Sequence, residues 1–369
     1  MHILLVANYA PDRQQSMLRY EDLLARELPQ RGHQVSEISP PSIFGRLAPA
    51  DTTLGKWLGY VDKFLLFPPL LRLRARRVDV VHICDHSNSM YLPHSPRKPW
   101  VITCHDLLAV RSALGHFEGI VTSRTGKLLQ SWILAGLKRS RHTICVSHKT
   151  HVDWNAIIGT PAAVIHNPMN WHFAPTSQAA IRAVRQKHQI GDGEYVLSVG
   201  GDNWYKDRPA LIRIFSAMRR LPQYGGLRLV LAGRPPAAEL RALIASESLT
   251  EAVVEIHDCS NDDLMALYTG ALALLFPSRE EGFGWPILEA QACGCAVVTT
   301  AREPMREVSG DAAILIDAAQ PEAAAEHIAQ QLSQATQLRQ RGFENLTRFD
   351  LDTILSRYID YYNQVRESF

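Results

Sequence analysis

The chain has 369 residues, 46% of them hydrophobic, and a formal net charge of +2. That length supports two domains with full cores, and the apolar content is that of an ordinary globular protein. The near-zero charge argues against a dedicated nucleic-acid surface, and no apolar run approaches the ~20 residues needed to span a bilayer.

Residues 1–7, Met-His-Ile-Leu-Leu-Val-Ala, lack the basic leader of a signal peptide and run directly into Asn8, Pro11, Asp12 and Arg13. They are expected to form a first strand. Leu18, Leu23, Leu24 and Leu28 mark one face of a helix ending near Gly32, and His33 to Ile38 reads as a second strand, giving a βαβ start. A dinucleotide-binding loop would place glycines between that first strand and helix, and none is there.

Residues 54 to 77 are aromatic and aliphatic first, then basic. One reading is a proline-broken amphipathic core helix with a solvated basic end. The other is a surface docking on anionic lipid, with Trp57, Tyr60, Phe64 and Phe67 inserted and Arg72, Arg74, Arg76 and Arg77 at the headgroups.

Val78 to Cys84 has the unbroken apolar character of a buried parallel strand, and Trp100 to Cys104 is another. The second delivers His105 and Asp106 to its carboxyl end, where α/β sheets present residues to ligands. His82, His86 and His94 fall in a strand, in a turn and beyond a proline, a dispersion that argues against a metal site. Gly119 to Lys127 has the wrong glycine spacing for a phosphate loop, and Leu128 stands where serine or threonine is needed. The six cysteines have no CxxC spacing, so they are expected to be reduced and mostly buried, in a cytosolic compartment.

Thr143 to Ser147 is a further strand, and Ala163 to Ile165 with His166-Asn167-Pro168 precedes the polar, alanine-rich stretch 174–193, which reads as an interdomain connection with a short helix. The pattern restarts with a strand, Tyr195 to Gly200, then a loop containing Gly201, Lys206 and Arg208. The helix that follows buries Leu211, Ile214, Phe215 and Met218. A lysine in a strand-to-helix loop can reach a diphosphate as a point charge. Leu227 to Ala232 ends at Gly233-Arg234, and Val253 to His257 is the next strand. Asp262-Asp263 follows Ser260 as a helix start and not as a metal pair.

The stretch 276–294 carries the most chemistry. A buried strand, Ala271 to Phe276, leads through a loop punctuated by Gly282 and Gly284 into a helix starting at Pro286. A helix N-terminus binds phosphate oxygens, and glycines let backbone approach a ligand closely. Glu281 before the helix and Glu289 one turn into it would offer acceptors to hydroxyls on either side of a diphosphate. The same residues are also compatible with simple helix capping and a solvated loop.

Glu281-Gly-Phe-Gly-Trp-Pro-Ile-Leu-Glu289, followed by Ala290-Gln-Ala-Cys-Gly294, resembles the paired-glutamate signature of the retaining group 1 (family 4) glycosyltransferases. That resemblance implies an α/β GT-B fold: two Rossmann-like β/α/β domains facing a central cleft, with a C-terminal helix crossing back to the first domain. The corresponding boundaries are 1–172, 173–348 and 349–369. It implies a donor site formed by Gly201, Lys206, Arg208, Gly233 and Arg234 together with Glu281, Gly282, Phe283, Gly284, Ile287, Leu288 and Glu289. Asp12, His105 and Asp106 would stand on the acceptor side, and Glu281, His105 and Lys206 would serve catalysis. The family often has a glycine pair in its first loop and an arginine near Gly201; this chain has neither.

The implied activity is transfer of a sugar from a nucleotide diphosphate sugar to a hydroxyl of a glycan, lipid-linked or small-molecule acceptor, with retention and without a metal or other cofactor. The expected setting is glycan or glycoconjugate synthesis in the cytoplasm, with peripheral contact at the inner face of the membrane. An epimerase or phosphorylase on the same fold, or a non-catalytic sugar-nucleotide-binding protein, is the alternative.

Overall fold

Short aliphatic runs alternate with amphipathic helices, and in a computed structural model they assemble into two parallel sheets. Residues 1–12, 14–49, 52–94, 98–169 and 171–369 are described. The chain divides into two compact units, residues 1–171 with 351–369, and residues 172–350.

The first unit contains β1 (His2–Val6), β2 (Gln34–Ile38), β3 (Val80–Ile83), β4 (Trp100–Cys104), β5 (Thr143–Cys145) and β6 (Ala162–Val164), in the order β2-β1-β3-β4-β5-β6. The second contains β7 (Tyr195–Val199), β8 (Arg228–Ala232), β9 (Val253–Ile256), β10 (Ala273–Phe276), β11 (Ala296–Thr300) and β12 (Ala313–Ile316), ordered β12-β11-β10-β7-β8-β9. Every pairing is parallel. The inner strands, among them β1, β3, β4, β7, β8, β10 and β11, are buried on both faces and read as largely aliphatic runs, whereas the edge strands β2, β6 and β9 stay half-buried. In each sheet the order reverses once, between β1 and β3 and between β7 and β10, and such reversals open a crevice at the strands' carboxyl ends.

Residues 53–75 form one irregular helix: Thr53–Val61, a widened π turn over Asp62–Leu66, and Phe67–Ala75. Thr52 caps its start by accepting a hydrogen bond from the Gly55 N–H. The widened turn places Asp62 fully inside, where its carboxylate accepts from the Tyr9 hydroxyl at 2.8 Å and from the N–H groups of Phe44 and Gly45 at 3.0 and 2.8 Å. Burial alone would raise its pKa, but these donors outweigh that and hold it below the ordinary value. Phe67 is fully buried, its ring 4.8 Å from that of Tyr91, so it belongs to the core and cannot insert into lipid. Pro68 fills the first turn of the second helical segment, and there the helix re-enters the core.

The helix Leu351–Glu367 packs on the first unit's sheet through a buried polar chain. The Tyr20 hydroxyl meets that of Tyr358 at 2.9 Å, and His82 bonds Thr103 Oγ1 through Nε2 and the Tyr362 hydroxyl through Nδ1, each at 2.8 Å. Both ring nitrogens of His82 are thus engaged, and burial lowers its pKa to about 3, so it is a neutral core histidine. The side chain of His94 lies outside the described residues. All six cysteines are free thiols, with Cys259 alone partly exposed.

Candidate functional site

The crevice between β7 and β10 gathers the second unit's polar side chains. The loop after β7 makes a short 3-10 turn, Trp204–Lys206, and enters the helix Arg208–Arg220 through Asp207 in a left-handed conformation (φ +48°). The loop after β10 carries Arg279 to Gly284 into the helix Trp285–Ala292. Lys206 Nζ lies 2.6 Å from Glu281 Oε1, and the same ammonium sits 4.7 Å from the centre of the Phe276 ring. A second link runs alongside: Arg279 donates to Asp207 through Nε at 2.5 Å and Nη2 at 3.2 Å, and its N–H donates to the Tyr205 carbonyl at 2.7 Å. The two loops are therefore tied by two adjacent ion pairs, with Lys206 and Glu281 mostly withdrawn from water.

The helix begins one residue earlier than the position of Pro286 suggests. Gly284, at φ +107°, turns the chain so that Trp285 is the first helical residue, and Pro286 is second, still within the turn whose N–H groups have no helical acceptor. Phe283 is buried against Phe349 and Trp285, and Ile287 and Leu288 are fully buried, so these three can offer a ligand only backbone. Glu289 is also buried, with Oε2 accepting from the Tyr268 hydroxyl at 2.9 Å.

Arg208 is inside the fold, where its guanidinium donates to the carbonyls of Gly200 at 2.7 Å and Arg234 at 3.2 Å. Burial lowers its pKa. It thus braces the ends of β7 and β8. Gly233, at φ +132°, sits so close to that junction that a Cβ would lie 2.2 Å from the Gly200 carbonyl oxygen. Gly201 neighbours the exposed side chain of Arg234.

In the first unit, the crevice between β1 and β3 holds a buried polar cluster. Asn8 Nδ2 donates to Asp85 Oδ2 at 2.7 Å and to Gln14 Oε1, its N–H donates to Glu21 Oε1 at 2.8 Å, and Asn88 Nδ2 donates to Asn8 Oδ1. Asp85 also accepts from the Ser87 N–H and hydroxyl and stands 3.0 Å from His86 Nδ1. Burial opposes ionisation of both, but their mutual attraction wins: Asp85 is held well below the carboxylate range and His86 is raised. Burial raises the pKa of Glu21 to about 8.

His105 follows β4, its Nε2 2.9 Å from the Cys84 carbonyl and its ring edge-on to Tyr20, and burial lowers its pKa. Asp106 accepts from the Leu108 N–H at 2.9 Å. Asp12 lies apart from this cluster's hydrogen bonds, paired with Lys63 at 2.6 Å. Asn8, Asp85 and Glu21, and Asp207 and Arg279 in the second unit, carry no motif; Asn8 meets Glu21 within one strand-to-helix unit, while strand order brings Asn8 to Asp85 and Asp207 to Arg279.

Residues 180–346 match the family model described as glycosyl transferases group 1, and residues 19–171 match that of glycosyltransferase family 4. Over 279 residues the chain is 27% identical to O-antigen chain mannosyltransferase B of Escherichia coli, covering 74% of this chain and 71% of that one. It is 31% identical over 212 residues to the D-inositol 3-phosphate glycosyltransferase of Salinispora tropica, covering 52% of this chain and 43% of that relative. Among solved structures, the sucrose-phosphate synthase of Thermosynechococcus elongatus superposes over 100% of both chains with a TM-score of 0.77 at 18% identity. Anabaena HepE in complex with UDP and glucose superposes over 97% of this chain and 98% of its own, with a TM-score of 0.71 at 17% identity. WaaG, a glycosyltransferase involved in lipopolysaccharide biosynthesis, gives 0.69 at 17% over 99% of each chain. The fold shared with these structures is GT-B. With the two family models together spanning most of its length, the chain belongs to the group 1 glycosyltransferases.

Proposed function

We propose that this protein is a retaining glycosyltransferase that takes a sugar from a nucleoside diphosphate sugar and attaches it to an acceptor hydroxyl. The observation that carries the reading is the Lys206–Glu281 pair at the β7/β10 crevice: a cation and a carboxylate held together beside a helix N-terminus. The UDP complex of the HepE neighbour supports a nucleotide-linked donor. On donor binding, Lys206 exchanges Glu281 for the diphosphate, and Glu281 turns to the hydroxyls of the sugar. Glu289 holds the ribose side, at the cost of its bond from Tyr268.

As the bond between the anomeric carbon and the phosphate oxygen breaks, negative charge grows on the diphosphate, where Lys206 and the backbone N–H groups of the helix starting at Trp285 stabilise it. The acceptor oxygen then bonds the anomeric carbon from the face the phosphate leaves, and its proton passes to a phosphate oxygen, so no metal or protein base is required. We assign the acceptor to the first unit, where His105, Asp106 and the Asn8–Asp85 cluster stand at strand ends. The enzyme works in the cytoplasm, in peripheral contact with a membrane, making glycans or glycoconjugates.

A thermal-shift screen of nucleoside diphosphates and their sugars identifies the donor, because a ligand bound only by the folded state raises the melting temperature. Glu281→Ala is expected to abolish transfer while keeping nucleotide binding measurable; undiminished turnover would move the site elsewhere. An inverted product anomer by NMR would remove the same-face mechanism, and sugar conversion without any acceptor would make the enzyme an epimerase.

A further inference from the structure

We infer that the outer face of residues 54–73, together with Leu128 and Trp132 of the helix Arg124–Leu137, forms one surface that docks on an anionic lipid bilayer. This specifies, and rests on, the peripheral membrane contact proposed above; it is independent of the donor site.

Four rings form a continuous row across two elements distant in sequence. Trp57 and Tyr60 are 5.8 Å apart, Tyr60 and Phe64 5.4 Å, and Phe64 and Trp132 4.8 Å. Large aliphatic side chains are exposed on the same elements: Leu54 at 62%, Leu65 at 68% and Leu128 at 74%, with Trp57 itself at 62%. The inner stripe of the first element, including Gly55, Gly59, Asp62, Phe67 and Leu71, is buried in the core, Phe64 packs at its margin, and Leu54, Trp57 and Leu65 face outward. An apolar surface of this breadth, built around amphipathic rings, suits the boundary between headgroups and acyl chains.

The charges name the partner. Across residues 52–78 the sole carboxylate is Asp62, which is buried, and residues 119–141 contain none. Lys56, Arg72, Arg74, Arg76, Arg124 and Lys127 are all exposed on these segments. Apart from Asp12, which pairs with Lys63 at 2.6 Å, bases outnumber acids around this apolar face, and such a face attracts an anionic bilayer. Two copies of this face would instead set base against base, which disfavours self-association.

Co-sedimentation of the full chain with phosphatidylcholine vesicles, with and without phosphatidylglycerol, tests the inference at low and high salt. The expected result is preferential binding to the anionic vesicles, weakened but not abolished by salt. Trp57→Ser with Trp132→Ser should lower the partition coefficient at least tenfold, while Phe343→Ser, an exposed aromatic of the second unit, should leave it unchanged. Unaltered melting temperature and nucleotide binding in the double variant verify that it is folded. Equal vesicle binding by wild type and the double variant would overturn this surface while leaving the membrane contact standing. Absence of binding by the wild type to either vesicle would remove both. A lipid-free dimer that the double variant abolishes would assign the face to a second copy and overturn the lipid reading.

Discussion

Replacing Lys206 by Met separates the structural and chemical parts of the site. Lys206 Nζ and Glu281 Oε1 are 2.6 Å apart, with side chains only 17% and 10% exposed. At an effective dielectric of about 20 their gross attraction is roughly 6 kcal/mol, most of it offset by the desolvation of both ions. Losing one partner leaves Glu281 largely sequestered without its cation, so Lys206→Met should destabilise the second unit by about 2–4 kcal/mol. Pairing it with Glu281→Gln removes the orphaned charge and should recover most of that loss. Transfer should not recover, because the diphosphate still lacks its cation; a fall of about 10²–10³ is expected from the loss of one electrostatic stabiliser, and more in the double variant. Urea denaturation read beside initial rates of transfer gives both quantities. The reasoning fails if the double variant regains turnover with its stability, or if Lys206→Met melts earlier yet transfers at the wild-type rate.

At the β7/β8 junction, Gly233→Ala must place a methyl carbon 2.2 Å from the Gly200 carbonyl oxygen at φ +132°. The strand ends have to part, at about 1–3 kcal/mol of stability, and nucleotide affinity by calorimetry should drop at least tenfold. Arg279 is more than half exposed, so Arg279→Ala should change stability by under about 1 kcal/mol. It should nonetheless slow turnover by freeing Asp207 and the 203–207 loop, and Arg279→Ala, Asp207→Asn and the double variant should lose kcat by the same factor if the pair acts as one brace. Glu21 makes the stability of the first unit depend on pH across the weakly acid and neutral range. Its unfolded carboxyl ionises near 4.5 while the folded one keeps its proton to about 8, so between these pH values the unfolded state sheds a proton that the folded state retains. Stability should therefore decline as pH rises from about 4.5 to 8, by a few kcal/mol, and level off above. In Glu21→Gln, which keeps an oxygen for the Asn8 N–H, that part of the decline should vanish from melting curves taken across the range; an unchanged slope would refute the assignment.

The strands and helices were legible because a doubly covered parallel sheet demands unbroken aliphatic runs and its helices a 3.6-residue stripe, and both patterns are local. The stretch 281–289 was legible for a similar reason, since a glycine-opened helix start must be contiguous in sequence. What stayed hidden depends on strand order. Nothing in the spacing of 75 residues between Lys206 and Glu281 says that β10 pairs with β7, yet that pairing alone makes them partners and sets Arg279 on Asp207. Burial was hidden in the same way: nothing local says that Arg208 lies inside the fold, donating to two carbonyls, and Phe67 looks like its aromatic neighbours but is turned inward beyond a widened helical turn. By itself the sequence determined which local elements form and that one of them starts a helix between two glutamates. The tertiary structure decided which charges those elements bring within reach of each other, because parallel crossovers join strands remote along the chain and no local pattern records which strands become neighbours.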